Sequence, residues 1–217
     1  MRTPNLYDAA RVLSQFTGLQ KPLTGTASKG VSDPRLLLGP EVPGGTPFSF
    51  CDVSRPTDLL NVTSLELTQQ PVHFDEEFFF NLYGIFQKPL TPNATINAYI
   101  DCGSHCEDYG NPPGERPGAG IDVDFCEFTQ IQQPLGGLPK RNTTCPPVAG
   151  YALSTSMGYL MPMFFRTPGW YNFTFDAHTA EGDRIYCVTT EVCLRWEDEE
   201  KNKGHPPGPW TNCTWPR

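Results

Sequence analysis

The stretch EEFFFNLYGIF, Glu76 to Phe86, holds four phenylalanines and one tyrosine in eleven residues. Taken with a period of two, it separates cleanly. Phe78, Phe80, Leu82, Gly84 and Phe86 fall on one side, and Phe79, Asn81, Tyr83, Ile85 and Gln87 on the other. One side is wholly apolar and the other mixed, the pattern of a β-strand with one face in a core. Rings at this density suit either the packed centre of a sandwich or the wall of an apolar cavity.

Working outward, strand-like segments recur from Phe48 to Trp196. They are FSFCDV (48–53), LLNVTSLEL (59–67), EFFFNLYGIF (77–86), ATINAYID (94–101), GIDVDFCEF (120–128), YALSTSMGYLM (151–161), WYNFTFDA (170–177) and RIYCVTTEVCLRW (184–196). Clusters of Gly, Pro and Asn punctuate them, so the chain reads as all-β, an immunoglobulin-like two-sheet sandwich. The 23 prolines and 20 glycines among 217 residues favour loops and short strands over long helices. Residues 1–45 are poor in strand signals and read as an N-terminal extension or pro-segment. Within it Leu6, Val12, Leu13 and Phe16 give a weak helical stripe, suited to packing on the sandwich, to covering its mouth, or to neither. Residues 46–196 form the sandwich, and residues 197–217 a charged, Pro-rich tail held by a disulfide.

Charge and cysteine content narrow the setting. A net charge of −8 with no basic run argues against nucleic acid as a partner. No run approaches the roughly 18 apolar residues of a membrane-spanning helix. The eight cysteines, at 51, 102, 106, 126, 145, 187, 193 and 213, form no CxxC pair and read as disulfides. Five sequons head at Asn61, Asn93, Asn142, Asn172 and Asn212. Together these imply a glycoprotein of the secretory pathway, secreted or in a vacuolar or lysosomal lumen. The first thirty residues lack the apolar centre of a signal peptide, so the chain is expected to begin after one.

Because a glycan must face solvent, the sequons also orient strands. With Asn61 outward, Leu60 and Val62 turn inward; with Asn172 outward, Tyr171, Phe173, Phe175 and Ala177 do. Ile96, Ala98 and Ile100 share one face. In TSMGYLMPMFF (155–165), methionines and rings beside Gly and Pro suggest an adaptable apolar surface.

The order of motifs resembles a known family. FCDVSRPTDLLNVTSLELTQQPV, the FFFNLYG strand, CPPVAGYALSTSMGYLMP and GWYNFTFDAHTAEGDRIYCVTTEV together look like the ML lipid-recognition family, most similar to its fungal phosphatidylglycerol/phosphatidylinositol transfer proteins. The matching positions are Cys51, Leu60 to Leu67, Pro71, Gly84, Cys126 with Cys145-Pro146, Pro162 and Cys187, spread over residues 47–196. No one motif is specific; their order is. The resemblance implies a sandwich whose sheets stay apart around a lipid cavity, and the pairs Cys51–Cys187 and Cys126–Cys145. This chain departs from the pattern at residues 102–116, with CGSHC and PPGERPG, and in a long loop between Cys126 and Cys145. Among the four remaining cysteines, Cys102 and Cys106 are close enough for a small local ring. Cys193 stands on the same strand side as Cys187, opposite Val188, Val192 and Leu194, where a tail bearing Cys213 can reach it. A bond from Cys213 to Cys102 or Cys106 is the alternative.

On this reading Phe78, Phe80, Phe86, Ile96, Ile100, Tyr159, Phe164, Phe173 and Phe175 line the cavity. Lys140, Arg141 and Arg166 are candidates for a lipid headgroup, set against the plain reading of surface charge. Other constellations are weaker. Asp75, Glu76 and Glu77 are adjacent in sequence, whereas paired catalytic acids normally stand on opposing elements across a cleft. His73, His105, His178 and His205 have no zinc-ligand spacing, and no GxSxG elbow occurs. Asp122 and Asp124 suit a solvated strand face better than a calcium site, and His105 suits a loop. The expectation is therefore a monomeric, non-enzymatic protein without a cofactor. It would hold a phospholipid or sterol and touch membranes transiently. The alternative is a glycosylated extracellular recognition module that binds a protein or polysaccharide through its enlarged loops.

Overall fold

The computed structural model describes residues 41–43, 48–68, 71–107, 110–115, 118–134, 141–143, 145–159, 167–203 and 213. The helical stripe at Leu6 to Phe16 and most of the N-terminal extension lie outside them. Among the described residues the fold is two mainly antiparallel sheets packed face to face. The strands are β1 (Phe48–Phe50), β2 (Leu60–Leu67), β3 (Val72–His73), β4 (Glu77–Phe86), β5 (Thr95–Asp101), β6 (Gly118–Asp124), β7 (Thr129–Pro134), β8 (Arg141–Thr143), β9 (Gly150–Tyr159), β10 (Gly169–His178) and β11 (Arg184–Arg195). The first sheet runs β1-β11-β10-β5-β6, with β3 added in parallel to β11, and the second runs β2-β4-β9-β7-β8. This is the immunoglobulin-like sandwich expected from the strand pattern.

The Glu77–Phe86 strand alternates as its period requires. Phe78, Phe80, Leu82, Gly84 and Phe86 are buried, while Phe79 and Tyr83 are exposed. Asn61 is exposed between buried Leu60 and Val62. On β10, Tyr171, Phe173, Phe175 and Ala177 are buried, and they pair with Val192, Thr190, Val188 and Tyr186 of β11 on the same face. Gly84 is a close-approach position: a Cβ there would meet the Leu60 side chain at 2.7 Å and the Asn61 carbonyl oxygen at 2.8 Å.

One expected strand is divided. Residues 120–128 do not run on as a strand; β6 ends at Asp124 and a helical turn, α1 (Phe125–Phe128), follows. The Asp124 carboxylate accepts hydrogen bonds from the amides of Cys126 (2.8 Å) and Glu127 (3.0 Å), an N-cap that outcompetes continued strand alternation. The turn carries the chain from the first sheet to β7 in the second. Asp122 accepts from the Asn97 side chain at 2.9 Å. Asp75 adopts φ 67° in a turn and Glu76 contacts the His73 ring at 3.1 Å, so the acidic cluster builds a strand entry.

Four disulfides join Cys51–Cys187, Cys102–Cys106, Cys126–Cys145 and Cys193–Cys213. Cys102 and Cys106 flank a 3-10 turn, Gly103–His105, in which His105 is buried. After β11 a second helical turn, α2 (Glu199–Asn202), is capped by Asp198, and Asn202 bonds both backbone groups of Trp196. The Trp196 ring lies between Phe74 (5.0 Å) and the Lys201 ammonium (4.8 Å).

Candidate functional site

Ring contacts index the two sheets against each other. Phe80 of β4 meets Phe175 of β10 at 4.4 Å and Phe48 of β1 at 5.4 Å, and Phe78 of β4 meets Phe173 of β10 at 5.9 Å. The strands β1, β11 and β10 therefore lie over β2 and β4. In this half of the sandwich, side chains from both sheets touch. Phe80, Phe86 and Phe173 are 1% exposed.

The next strands across, β5 and β6, then face β9 and β7, and their inner faces differ sharply. Register carries Phe173 to Ile100 and Ala119, Phe175 to Ala98 and Ile121, and Ala177 to Ile96 and Val123. On the other side it carries Phe78 to Gly158, Phe80 to Ser156 and Thr129, and Leu82 to Ser154 and Ile131. The facing inner surfaces are thus Ile100 and Ala119 against Gly158, Ala98 and Ile121 against Ser156 and Thr129, and Ile96 and Val123 against Ser154 and Ile131. Ile96, Ser154 and Ile131 are buried, but Ala98, Ile100 and Ile121 are only half-buried and Ala119 is exposed. Apolar side chains on the inner face of a sandwich are normally sealed. Sheets stack about 10 Å apart, and Ala, Ser and Thr are too short to span that distance, whereas Gly158 is covered by the Phe78 ring, which a Cβ there would meet at 2.2 Å.

Two polar features sit on this inner surface. The Thr129 and Ser156 hydroxyls bond each other at 3.1 Å. The Ser154 hydroxyl, 1% exposed between Leu82 and Ile131, makes no hydrogen bond among the described residues. An unpartnered buried hydroxyl costs roughly 1–3 kcal/mol. At the same depth on the far side, the Tyr186 hydroxyl is likewise buried without a partner, and burial drives its pKa up. Burial also raises the pKa of Tyr171, whose hydroxyl donates to the Thr167 carbonyl at 2.8 Å.

The far end is tied together by backbone. Leu59 N–H donates to the Arg184 carbonyl, Leu90 N–H to the Pro147 carbonyl and Phe125 N–H to the Ala94 carbonyl at 2.8 Å. The Gln133 carboxamide pairs with both backbone groups of Val148. The half-buried inner residues of β5 and β6 are Ile100, Ala98, Ile121 and Val123, with exposed Ala119 at the end beside Gly158.

The residues expected to line a cavity are distributed unevenly. Phe78, Phe80, Phe86, Ile96, Phe173 and Phe175 are on inner faces and buried, and Ile100 is on the inner face and half-buried. Tyr159 stands opposite Glu77 in register, one residue out of step with the inward Phe78–Gly158 pair. Arg141 stands opposite Pro134, at the other end of the second sheet from Gly158. Phe164, Lys140 and Arg166 lie outside the described residues. Sequence reading missed the run Ala152, Ser154, Ser156 and Gly158, although its signal, small residues at every second position of YALSTSMGY, was present.

No family model matches the chain, and no curated protein matches it. Solved structures that resemble it do so remotely. A Niemann-Pick type C2 protein from the Japanese carpenter ant is 8% identical, with 67% of this chain and 98% of that chain covered, at a TM-score of 0.42. The alkylpurine DNA glycosylase AlkC of Pseudomonas fluorescens, bound to DNA with an abasic site analog, is 14% identical over 64% of this chain and 31% of its own, at 0.36. A CARDB domain from Pyrococcus furiosus, in complex with di-metal ions, is 9% identical over 66% of this chain and 100% of its own, at 0.29. Likenesses of this strength carry no argument about activity.

Proposed function

We propose that the chain is a lipid-binding protein of an oxidising, extracellular or lumenal compartment, which takes a phospholipid or sterol between its two sheets. One observation carries the reading: the apolar inner face formed by Ala98, Ile100 and Ile121 is half-buried opposite the short side chains of Ser156 and Thr129. A lipid inserted here replaces water on both surfaces, gaining about 0.8 kcal/mol for each methylene it buries. Four disulfides and the sequons suit the compartment. The net charge of −8 disfavours long residence on an anionic membrane, as a shuttle requires.

Native mass spectrometry with lipid extraction of the purified chain tests the reading. A co-purifying lipid, lost at least about ten-fold in Ile100→Glu, is expected. A clean protein mass, with no uptake from phosphatidylglycerol, phosphatidylinositol or cholesterol vesicles, overturns it in favour of a recognition module.

A further inference from the structure

The outer face of the second sheet is unusually apolar. Of the five large apolar side chains exposed among the described residues, Phe79, Tyr83 and Tyr151 lie on this face, Tyr151 at 66%. Register draws part of it into one row. Ile85 of β4 pairs with Asn61 of β2 on one side and with Tyr151 of β9 on the other, and the next outward residue, Tyr83, pairs with Ser64 and Leu153. Strand β2 is also an edge of its sheet. A free edge beside an apolar face invites strand addition and self-association, against which proteins set lysines, prolines or bulges. The β2 sequence LNVTSLEL contains neither Lys nor Pro, and of these guards it has a single-residue bulge at Thr63.

It does contain a sequon. Asn61 and Thr63 are both exposed. The ladder shifts between Val62 and Ser64, so Thr63 is the extra residue of a bulge and is released from pairing. The sequon at Asn172 is different. Asn172 is half-buried in the middle of the first sheet, its amide nitrogen donating to Thr174 at 3.4 Å and its oxygen accepting from Thr189 at 3.0 Å.

We propose that Asn61 carries an N-linked glycan whose first sugars lie across Ile85, Tyr83 and Tyr151, shielding the sheet edge and the apolar face together. In its attachment the Asn61 Nδ2 attacks the anomeric carbon of a lipid-linked oligosaccharide diphosphate. The C–N bond forms, the bond from that carbon to the diphosphate oxygen breaks, the lipid diphosphate leaves, and the amide proton passes to a base of the transferase. The row Asn61–Ile85–Tyr151 spans two strand spacings, about 10 Å, within reach of the first two sugars. Sugar C–H faces suit the electron-rich faces of the tyrosine rings, and the hydroxyls remain in water. The seat is independent of anything bound between the sheets.

The test uses the full chain expressed in a glycosylating eukaryotic host. Glycopeptide mass spectrometry is expected to find Asn61 occupied in the wild type and in Thr63→Ser, and empty in Asn61→Gln and Thr63→Ala. Light scattering on size-exclusion peaks is expected to show at least about three-fold more dimer and larger species in the two unglycosylated variants. Asn93→Gln, which removes an exposed sequon elsewhere, serves as the control and is expected to stay at the wild-type level. Adding Ile85→Thr and Tyr151→Thr to Asn61→Gln is expected to restore the monomer. An unmodified Asn61 in the wild type overturns the proposal. So does Asn61→Gln protein as monodisperse as Asn93→Gln, or association that persists after the two surface substitutions.

Discussion

The two halves of the sandwich are built from the same kind of strand but finished differently. Where β10 and β11 lie over β4, rings from opposing sheets meet, Phe80 on Phe175 and Phe78 on Phe173. Along β5, β6, β9 and β7 the inner residues are Ile, Val, Ala, Ser, Thr and Gly, with no ring among them, and Ala98, Ile100, Ile121 and Val123 are half-buried. Ring packing therefore concentrates in the first half, and half-buried apolar groups in the second. Side-chain volume separates the two.

The largest expected effect breaks the packed half. Phe80→Ala removes a ring in contact with Phe48 and Phe175, and is expected to cost about 3–5 kcal/mol in urea unfolding. Ile100→Ala, on the half-buried side, is expected to cost well under half of that. Equal costs would erase the distinction between the halves.

The next effect is alkaline. Tyr186 and Tyr171 both belong to the packed half, and burial raises both phenols above their ordinary value of 10.0. A group whose pKa is raised by folding contributes stability that is complete below its unfolded pKa and is lost as pH rises above it. The melting temperature is accordingly expected to fall by at least about 5 °C between pH 9 and pH 11. Tyr186→Phe is expected to flatten that fall, and an unaltered slope in the variant would separate alkaline unfolding from this residue.

The smallest effect sharpens the open half. Ser154→Ala removes a buried hydroxyl that makes no hydrogen bond among the described residues, so the change is expected to stabilise the chain by about 1 kcal/mol, read as a higher denaturation midpoint. A lower midpoint would show that the hydroxyl is bonded in solution.

Much of the fold was legible because strand parity is a strong signal. The alternation in EFFFNLYGIF placed β4 with its burial pattern, and the sequon at Asn61 oriented β2. The placement of Cys193 opposite Val192 and Leu194 put it in reach of Cys213, as the structure has it. The break at Asp124 was obscured because DFCEF continues an alternating pattern, while a single capping carboxylate decides the local outcome. The candidate site was harder to read. Attention goes to rings, yet the half-buried surface is marked by what is small, Ser156 and Thr129, and by Ala98 opposite them. Missing volume becomes visible only once register has set strands against one another. Strand β8 and its Arg141 pair through a three-residue ladder too short to show a period.

The helical turn α1 has a mechanical consequence. It is the point at which the chain passes from β6 to β7, and its Cys126 is bonded to Cys145, five residues before β9 begins. Beside it, Phe125 is held to Ala94, and Leu90 to Pro147. This corner works as the spine of a book. The Cys126–Cys145 bond clasps the end of β6 to the segment leading into β9 there. On the function proposed above, a lipid enters at the fore-edge, away from this spine.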